Sequence, residues 1–315
     1  MLFSVVIPVF NSSLYIANTL DSVRKASISK NYEVLVVDDL SLDIDQLKNI
    51  LRDYPEVSLI EKKVKTNAAD SRNIGLLASK ADIVFFIDSD DSFLEGAIDR
   101  RIKSHHAQYA GVIFGNFLSA VRGKYRPSDL RPYCKNTDMR DYIFNSHGDV
   151  RSSTISIFKK LWKNTLFDPE SYKHQDWIYS IKCYDNKESI FFDERYGVII
   201  FKDRPDRMSF SINVSASKYI LEFFLKNQSH INRFSRIHWM SAIRNRDAGA
   251  CKFFLSLYRP DSLSDYFIYY IYKFLSINKI SYLSSMLIRG YIVTHHIRKE
   301  IACFMLWIFR LALSK

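Results

Sequence analysis

Apolar runs that break abruptly into acids mark the first part of the chain. Phe3 to Ile7 is apolar apart from Ser4 and stops at Pro8. Val34-Leu35-Val36-Val37 ends in Asp38-Asp39, and Ile83-Val84-Phe85-Phe86-Ile87 ends in Asp88-Ser89-Asp90-Asp91. Such runs predict strands buried on both faces of a parallel sheet. Further strands are expected at Val57–Ile60 and Gly111–Gly115, with the second strand starting at Tyr32. Between them the period changes. Leu14, Ala17 and Leu20 form a helical stripe behind the N-caps Asn11-Ser12-Ser13. Helices are also expected over Ser41–Arg52, Ala68–Ala78 and Phe93–His106. This alternation predicts an α/β fold, a Rossmann-like, mostly parallel sheet flanked by helices.

Beyond Val121 the pattern weakens. The stretch to Arg151 reads as a polar, loop-rich insertion. Helical pattern returns at Lys159–Trp162 and Asp176–Tyr184, and Ile190–Asp193 and Gly197–Phe201 read as two more strands. After about Ser215 the segments Tyr219–Leu225, Ala250–Tyr258 and Phe267–Leu275 are short, aromatic-rich and helical in period, with basic residues interleaved. A boundary near 212 follows, separating a domain over 1–212 from a helical basic region over 213–315.

Charge sharpens that division. The 315 residues carry a formal net charge of +11, and the part from Arg204 onward, with 17 Lys+Arg against 6 Asp+Glu, holds all of it. Residues 1–203 are neutral overall, so the C-terminal region is the one expected to face something anionic. Aromatic content of 15% argues against disorder. Cys134, Cys183, Cys251 and Cys303 have no zinc-ligand spacing and no disulfide pattern. The N-terminus has no basic start before its apolar run, so no secretory signal is expected, and no apolar run reaches the length of a spanning helix.

Ligands of open α/β sheets sit beyond the carboxyl ends of the strands. Both acid clusters fall there, and crowded carboxylates call for a cation between them. Asp38-Asp39-Leu40-Ser41-Leu42-Asp43 can accept hydrogen bonds from a nucleotide base or ribose, or simply cap a helix. In Asp88-Ser89-Asp90-Asp91 one acid can hold a sugar hydroxyl and another a metal, although Asp91-Ser92 alone would also suit a helix start. Arg72 can take a carboxylate or a phosphate in a fork geometry, or form a surface ion pair with Asp70 or Asp82.

Val5-Val6-Ile7-Pro8-Val9-Phe10-Asn11, the Asp38–Asp43 segment, Ser71-Arg72-Asn73-Ile74-Gly75 and Phe86-Ile87-Asp88-Ser89-Asp90-Asp91, in that order, resemble the family 2 glycosyltransferases of GT-A fold. The resemblance is strong over residues 3–118 and weaker to about 212. It implies inverting transfer of a sugar from a nucleotide-diphosphate donor, a UDP-sugar on family grounds. Pro8 and Asn11 would line the nucleotide pocket, Asp39 would contact the base, Arg72 would position the diphosphate or the acids, and Asp88 would hold the ribose or sugar. Asp90 would bind Mg²⁺ or Mn²⁺. Many members have Glu-Asp where this chain has Gln175-Asp176, so Asp176 takes the place of the general base, with His174 as substitute and Trp177 placed to pack on a sugar. Arg204-Pro205-Asp206-Arg207 resembles the segment that closes over the diphosphate through Arg204 or Arg207. That segment lacks the metal-binding histidine of some members, and Asp203 or Asp206 stand as replacements.

The apolar, Trp-bearing segment Ile301–Leu313 is flanked by Arg298, Lys299 and Lys315 and suits either a helix in the membrane interface or a packed helix and oligomer contact. The expected enzyme is thus a hexosyl- or N-acetylhexosaminyltransferase, cytoplasmic and peripheral on the inner face of the cell membrane. Its acceptor would be a glycan, probably lipid-linked, for a surface polysaccharide such as O-antigen or capsule; an anionic membrane surface is expected as partner and nucleic acid is not. The rivals are a nucleotidyltransferase, which would normally show a Gly-rich phosphate loop after the first strand, a nucleic-acid-binding module, and an inactive relative that only binds nucleotide-sugar. The paired histidines His105-His106 are expected to serve packing.

Overall fold

The computed structural model describes residues 2–203, 212–245 and 247–259, together with 266 and 269. The chain divides into two compact units, Met1–His230 and Ile231–Lys315. Arg204, Arg207, Asp206 and the Ile301–Leu313 segment lie outside the described residues.

The first unit is built on a nine-stranded sheet. Strands β1 (Phe3–Val9), β2 (Tyr32–Asp38), β3 (Val57–Glu61) and β4 (Ile83–Phe86) are joined by helices α1 (Ser13–Ala26), α2 (Ile44–Leu51) and α3 (Ala68–Ala78). These strands lie in the order β3-β2-β1-β4 and pair in parallel. Every residue of β1 and β4 is buried, which is why these stretches read as unbroken apolar runs. Helix α3 packs so closely on β1 that a Cβ at Gly75 would come within 2.4 Å of Val6 Cγ1. Only glycine fits that crossing, and its place in Ser71–Gly75 brings the start of α3 down onto the strand ends.

Beyond β4 the sheet becomes mixed. After β5 (Ser92–Phe93) and α4 (Ala97–Gln108) come β6 (Val112–Val121), β7 (Lys124–Pro127) and β8 (Ser156–Phe158), then α5 (Gln175–Asp185) and β9 (Ile190–Phe201). Strand β8 runs antiparallel between β4 and β6, β6 and β9 are parallel, and β5 closes the edge antiparallel to β9. Helix α6 (Val214–Phe223) follows within the first unit.

Several local expectations change here. Phe93 starts no helix: it pairs with Val198 in the sheet, and Gly96, at φ +65°, turns the chain into α4. Lys159–Trp162 is a single turn closing β8. The insertion after Val121 forms the β6–β7 hairpin and one helical turn at Asp141–Asn145. The two strands expected between 190 and 201 are one, with a register shift opposite Gly115–Phe117. A Cβ on Gly115 would meet the Asp193 carbonyl oxygen, so the bulge forms where a side chain would not fit. His105 is a packing residue: its ring contacts Ala110 O and Ser156 Oγ at 2.7 and 2.8 Å, and burial pushes its pKa down to about 4.

In the second unit, α7 (Gln228–Asn245) and α8 (Ala248–Leu257) pack through Phe234 on Phe254, and Trp239 stacks on Tyr258. No helix among the described residues is long and apolar enough to cross a membrane.

Candidate active site

The carboxyl ends of β1 and β2 are tied together by two residues in the left-handed backbone region, Asn11 at φ +50° and Leu40 at φ +59°. Asparagine tolerates that region and leucine does not, so the turn after Asp39 is held against its own preference. Asn11 accepts the Leu42 N–H at 2.7 Å and donates its own N–H to Ser41 Oγ at 2.9 Å. Pro8 is buried one register step before, opposite Val37. Asp43 accepts the Ser13 N–H at 2.8 Å and so caps α1. Asp38 binds the Ser41 N–H at 3.1 Å through Oδ2, while its buried Oδ1 has no partner.

Asp39 is buried and surrounded by cations. Lys62 Nζ lies 2.8 Å from Oδ1 and Lys65 Nζ 3.2 Å from Oδ2, and the Thr66 N–H donates to Oδ1 at 2.9 Å. Burial, the largest single influence, pushes the carboxyl up; the hydrogen bonds from Lys62, Thr66 and Lys65 together outweigh it and hold the pKa below the usual value. Lys65 also sits over the exposed Phe10 ring.

Helix α3 carries the link between the two sides of the site. Asn67 caps it by accepting the Asp70 N–H at 3.1 Å and donates to Pro169 O at 2.6 Å. Asn73 makes a reciprocal pair with the Phe167 backbone, donating at 2.8 Å and accepting at 2.9 Å. These bonds fasten the segment that leads into α5. Between them, buried Arg72 reaches both ways: Nη2 lies 2.5 Å from Asp88 Oδ1, and Nη1 donates to Gln175 Oε1 at 2.8 Å. The surface pairs considered for Arg72 do not form, because Asp70 pairs with Lys62 and Asp82 with Lys160.

The acid loop after β4 is pinned by Ser153, which accepts the Asp88 N–H at 3.1 Å and donates to Asp91 Oδ2 at 2.6 Å. Asp91 Oδ1 accepts the Phe201 N–H at 3.2 Å, so Asp91 is buried and spent on structure. Asp88 and Asp90 remain part-exposed.

Asp176 stands in the first turn of α5, half-buried. Burial pushes its carboxyl up to about 6, Arg151 opposes the push, and Asp149 adds to it. Asp149 in turn accepts the Trp177 indole N–H at 2.9 Å and pairs with Arg151 at 2.7 Å. The Trp177 ring stacks on His174 and meets Phe144 edge-on. Gln175 continues the frame by donating to Ser171 O at 2.8 Å.

The structure therefore joins Pro8, Asn11 and Asp39 at one end of the strand edge and links Arg72, Asp88 and the Gln175–Asp176 step at the other. Arg204 and Arg207 fall outside the described residues, and Asp203 is engaged with the Arg122 N–H at 2.8 Å. Sequence reasoning missed Lys62, Asp149, Arg151 and Ser153. Lys62 follows an unremarkable strand, and the other three lie in or next to the stretch taken as loop. No group of three or more metal-ligating side chains gathers among the described residues. Mg²⁺ and Mn²⁺ do not require one where a carboxylate and substrate phosphates share the ion. With Asp91 committed to the fold and Asp88 to Arg72, Asp90 is the carboxylate that fits that role.

A sheet of this order, with acids at the ends of β2 and β4 and a third acid opening α5, defines a GT-A-like fold. The family model for glycosyl transferase family 2 matches residues 4–165. The chain belongs to that family. Among curated proteins it is 30% identical over 199 residues to the amylovoran biosynthesis glycosyltransferase AmsB of Erwinia amylovora, covering 58% of this chain and 63% of that protein. It is 29% identical over 220 residues to the poly(ribitol-phosphate) β-N-acetylglucosaminyltransferase TarP of Staphylococcus aureus, covering 67% and 66%. The matched region thus spans a little under two thirds of either relative. Among solved structures, that of S. aureus TarS residues 1–349 in complex with UDP-GlcNAc superposes with a TM-score of 0.57 at 19% identity, covering 86% of this chain and 79% of that one, and shows the shared fold.

Proposed function

We propose that this protein transfers a sugar from a UDP-sugar to a hydroxyl of a glycan acceptor, with inversion, in the synthesis of a surface polysaccharide such as O-antigen or capsule. The observation that carries the reading is the Asp88–Arg72–Gln175 bridge, which sets an acid loop suited to a donor beside a carboxyl whose pKa of about 6 suits a base. The names of the relatives support it: TarP is an N-acetylglucosaminyltransferase, and TarS was solved with UDP-GlcNAc.

Asp39 with Asn11 and Pro8 receives the nucleotide, and Asp88, oriented by Arg72, holds the ribose or sugar. Asp176 accepts the proton of the acceptor hydroxyl as its oxygen attacks the anomeric carbon. The new C–O bond forms on the face opposite the breaking bond to the diphosphate, which leaves with that electron pair. A divalent Mg²⁺ or Mn²⁺ on Asp90 supplies charge neutralisation for the diphosphate. Arg204 and Arg207 are assigned to the same leaving group on resemblance alone. The basic region after 212 places the enzyme on the anionic inner face of the cell membrane, where a lipid-linked acceptor is at hand.

The test is a screen of nucleotide-sugars for hydrolysis and transfer, with Mg²⁺, Mn²⁺ or EDTA, comparing the wild type with Asp90→Ala. Turnover of one donor that is lost with EDTA and in the variant is expected. No turnover of any donor, with or without a lipid-linked acceptor, would sink the reading.

A further inference from the structure

A second concave site lies away from the acids. It is a groove of about 1260 Å³ between the C-terminal ends of α4 and α5, the 132–136 loop and the first half of β9. Helix α5 connects it to the candidate active site. Asp176 opens that helix and Asp185, on the groove wall, ends it, about 14 Å further along at the rise of an α-helix. No residue of the acid site lines the groove.

Its lining pairs rings with cations. Tyr109 is 78% exposed, and Tyr184 and Phe191 are part-exposed along the wall. Lys135, Lys163 and Lys187 line it as well, all exposed, and none pairs with an acid among the described residues. The acids of the wall are largely committed elsewhere. Asp185 pairs with Arg140 at 2.6 Å, Asp193 with Arg101 and Arg195 at 3.1 and 2.9 Å, and Glu188 accepts the Thr165 hydroxyl at 2.6 Å. The charge left over is therefore positive. Open length, ring faces for the apolar sides of sugar units and uncompensated ammonium groups describe a site for an extended, negatively charged glycan.

We propose that this groove binds the acceptor polymer itself, through a stretch of anionic glycan remote from the hydroxyl that reacts. The proposal rests on the glycosyltransferase reading for the identity of its occupant, and on the groove alone for the binding.

Fluorescence anisotropy of the full chain with labelled hexagalacturonate as the probe tests it. Binding is expected to weaken with salt, to fall about tenfold in Lys135→Glu/Lys163→Glu/Lys187→Glu, to fall severalfold in the exposed variant Tyr109→Ala, and to persist under saturating UDP. Donor hydrolysis by both variants is expected to match the wild type, which separates failure of the groove from failure of the active site. No binding by the wild type, equal binding by the triple variant, or displacement by UDP would overturn the proposal. So would equal affinity for neutral chitohexaose, and tighter binding of an oligothymidylate would reassign the groove to nucleic acid.

Discussion

Asp39 and Asp176 stand on two sides of the same site and are built to opposite electrostatic ends. Asp39, at the end of β2, is buried among two lysines and a backbone N–H, and its carboxyl is held low. Asp176, at the start of α5, is part-buried beside another acid, and its carboxyl is pushed up. One side is arranged to stay ionised and receive hydrogen bonds; the other is arranged to exchange a proton near neutral pH. The difference comes from partners as well as depth, since burial raises both groups and only Asp39 has enough donors to reverse it.

The comparison breaks first on rate. Asp176→Asn removes the proposed base, so kcat is expected to fall by about 10² to 10⁴ while UDP affinity, measured calorimetrically, changes little. A variant retaining more than a tenth of wild-type turnover would leave Asp176 without that role.

Stability separates the two acids by sign. Asp39→Asn strips a buried Lys62 of one of its two carboxylates and is expected to destabilise the fold by about 3 kcal/mol in urea denaturation at pH 7. Asp176→Asn is expected to stabilise it by about 1 to 2 kcal/mol under the same conditions, because a charge held in an unfavourable place is removed.

The pH dependence follows from the same signs. Asp39, with its pKa lowered, contributes stability present above its unfolded value and lost as pH falls through the folded one. Asp176, with its pKa raised, contributes stability present below its unfolded value and lost as pH rises through about 6. The gain in Asp176→Asn is therefore expected to vanish below about pH 4, and the rate of the wild type to fall on the acid side of about pH 6. An activity flat between pH 5 and pH 8 would contradict the assignment.

The smallest effect expected is at the joint between the two sides. Asn67→Ala loses the α3 cap and the bond to Pro169, costing about 1 kcal/mol and lowering kcat severalfold as the lead into α5 loosens. A change in melting temperature with unaltered kcat would make that joint purely structural.

The chain alone determined the parallel half of the first unit, because strands buried on both faces must be apolar throughout and so announce themselves. It also determined the acid clusters at the ends of β2 and β4, where a buried run can end only in the residues the ligand site demands. Tertiary structure decided the rest. Phe93 and the 190–201 stretch have sequence patterns open to more than one element, and contacts with partners far along the chain settle which one forms. The roles within Asp88–Asp91 are unreadable locally, since Ser153, more than sixty residues on, takes Asp91 for the fold. Lys62, Asp149 and Arg151 sit in no motif at all. What sets a carboxyl's proton affinity is the charge and solvent brought around it, and that is assembled only when distant segments meet.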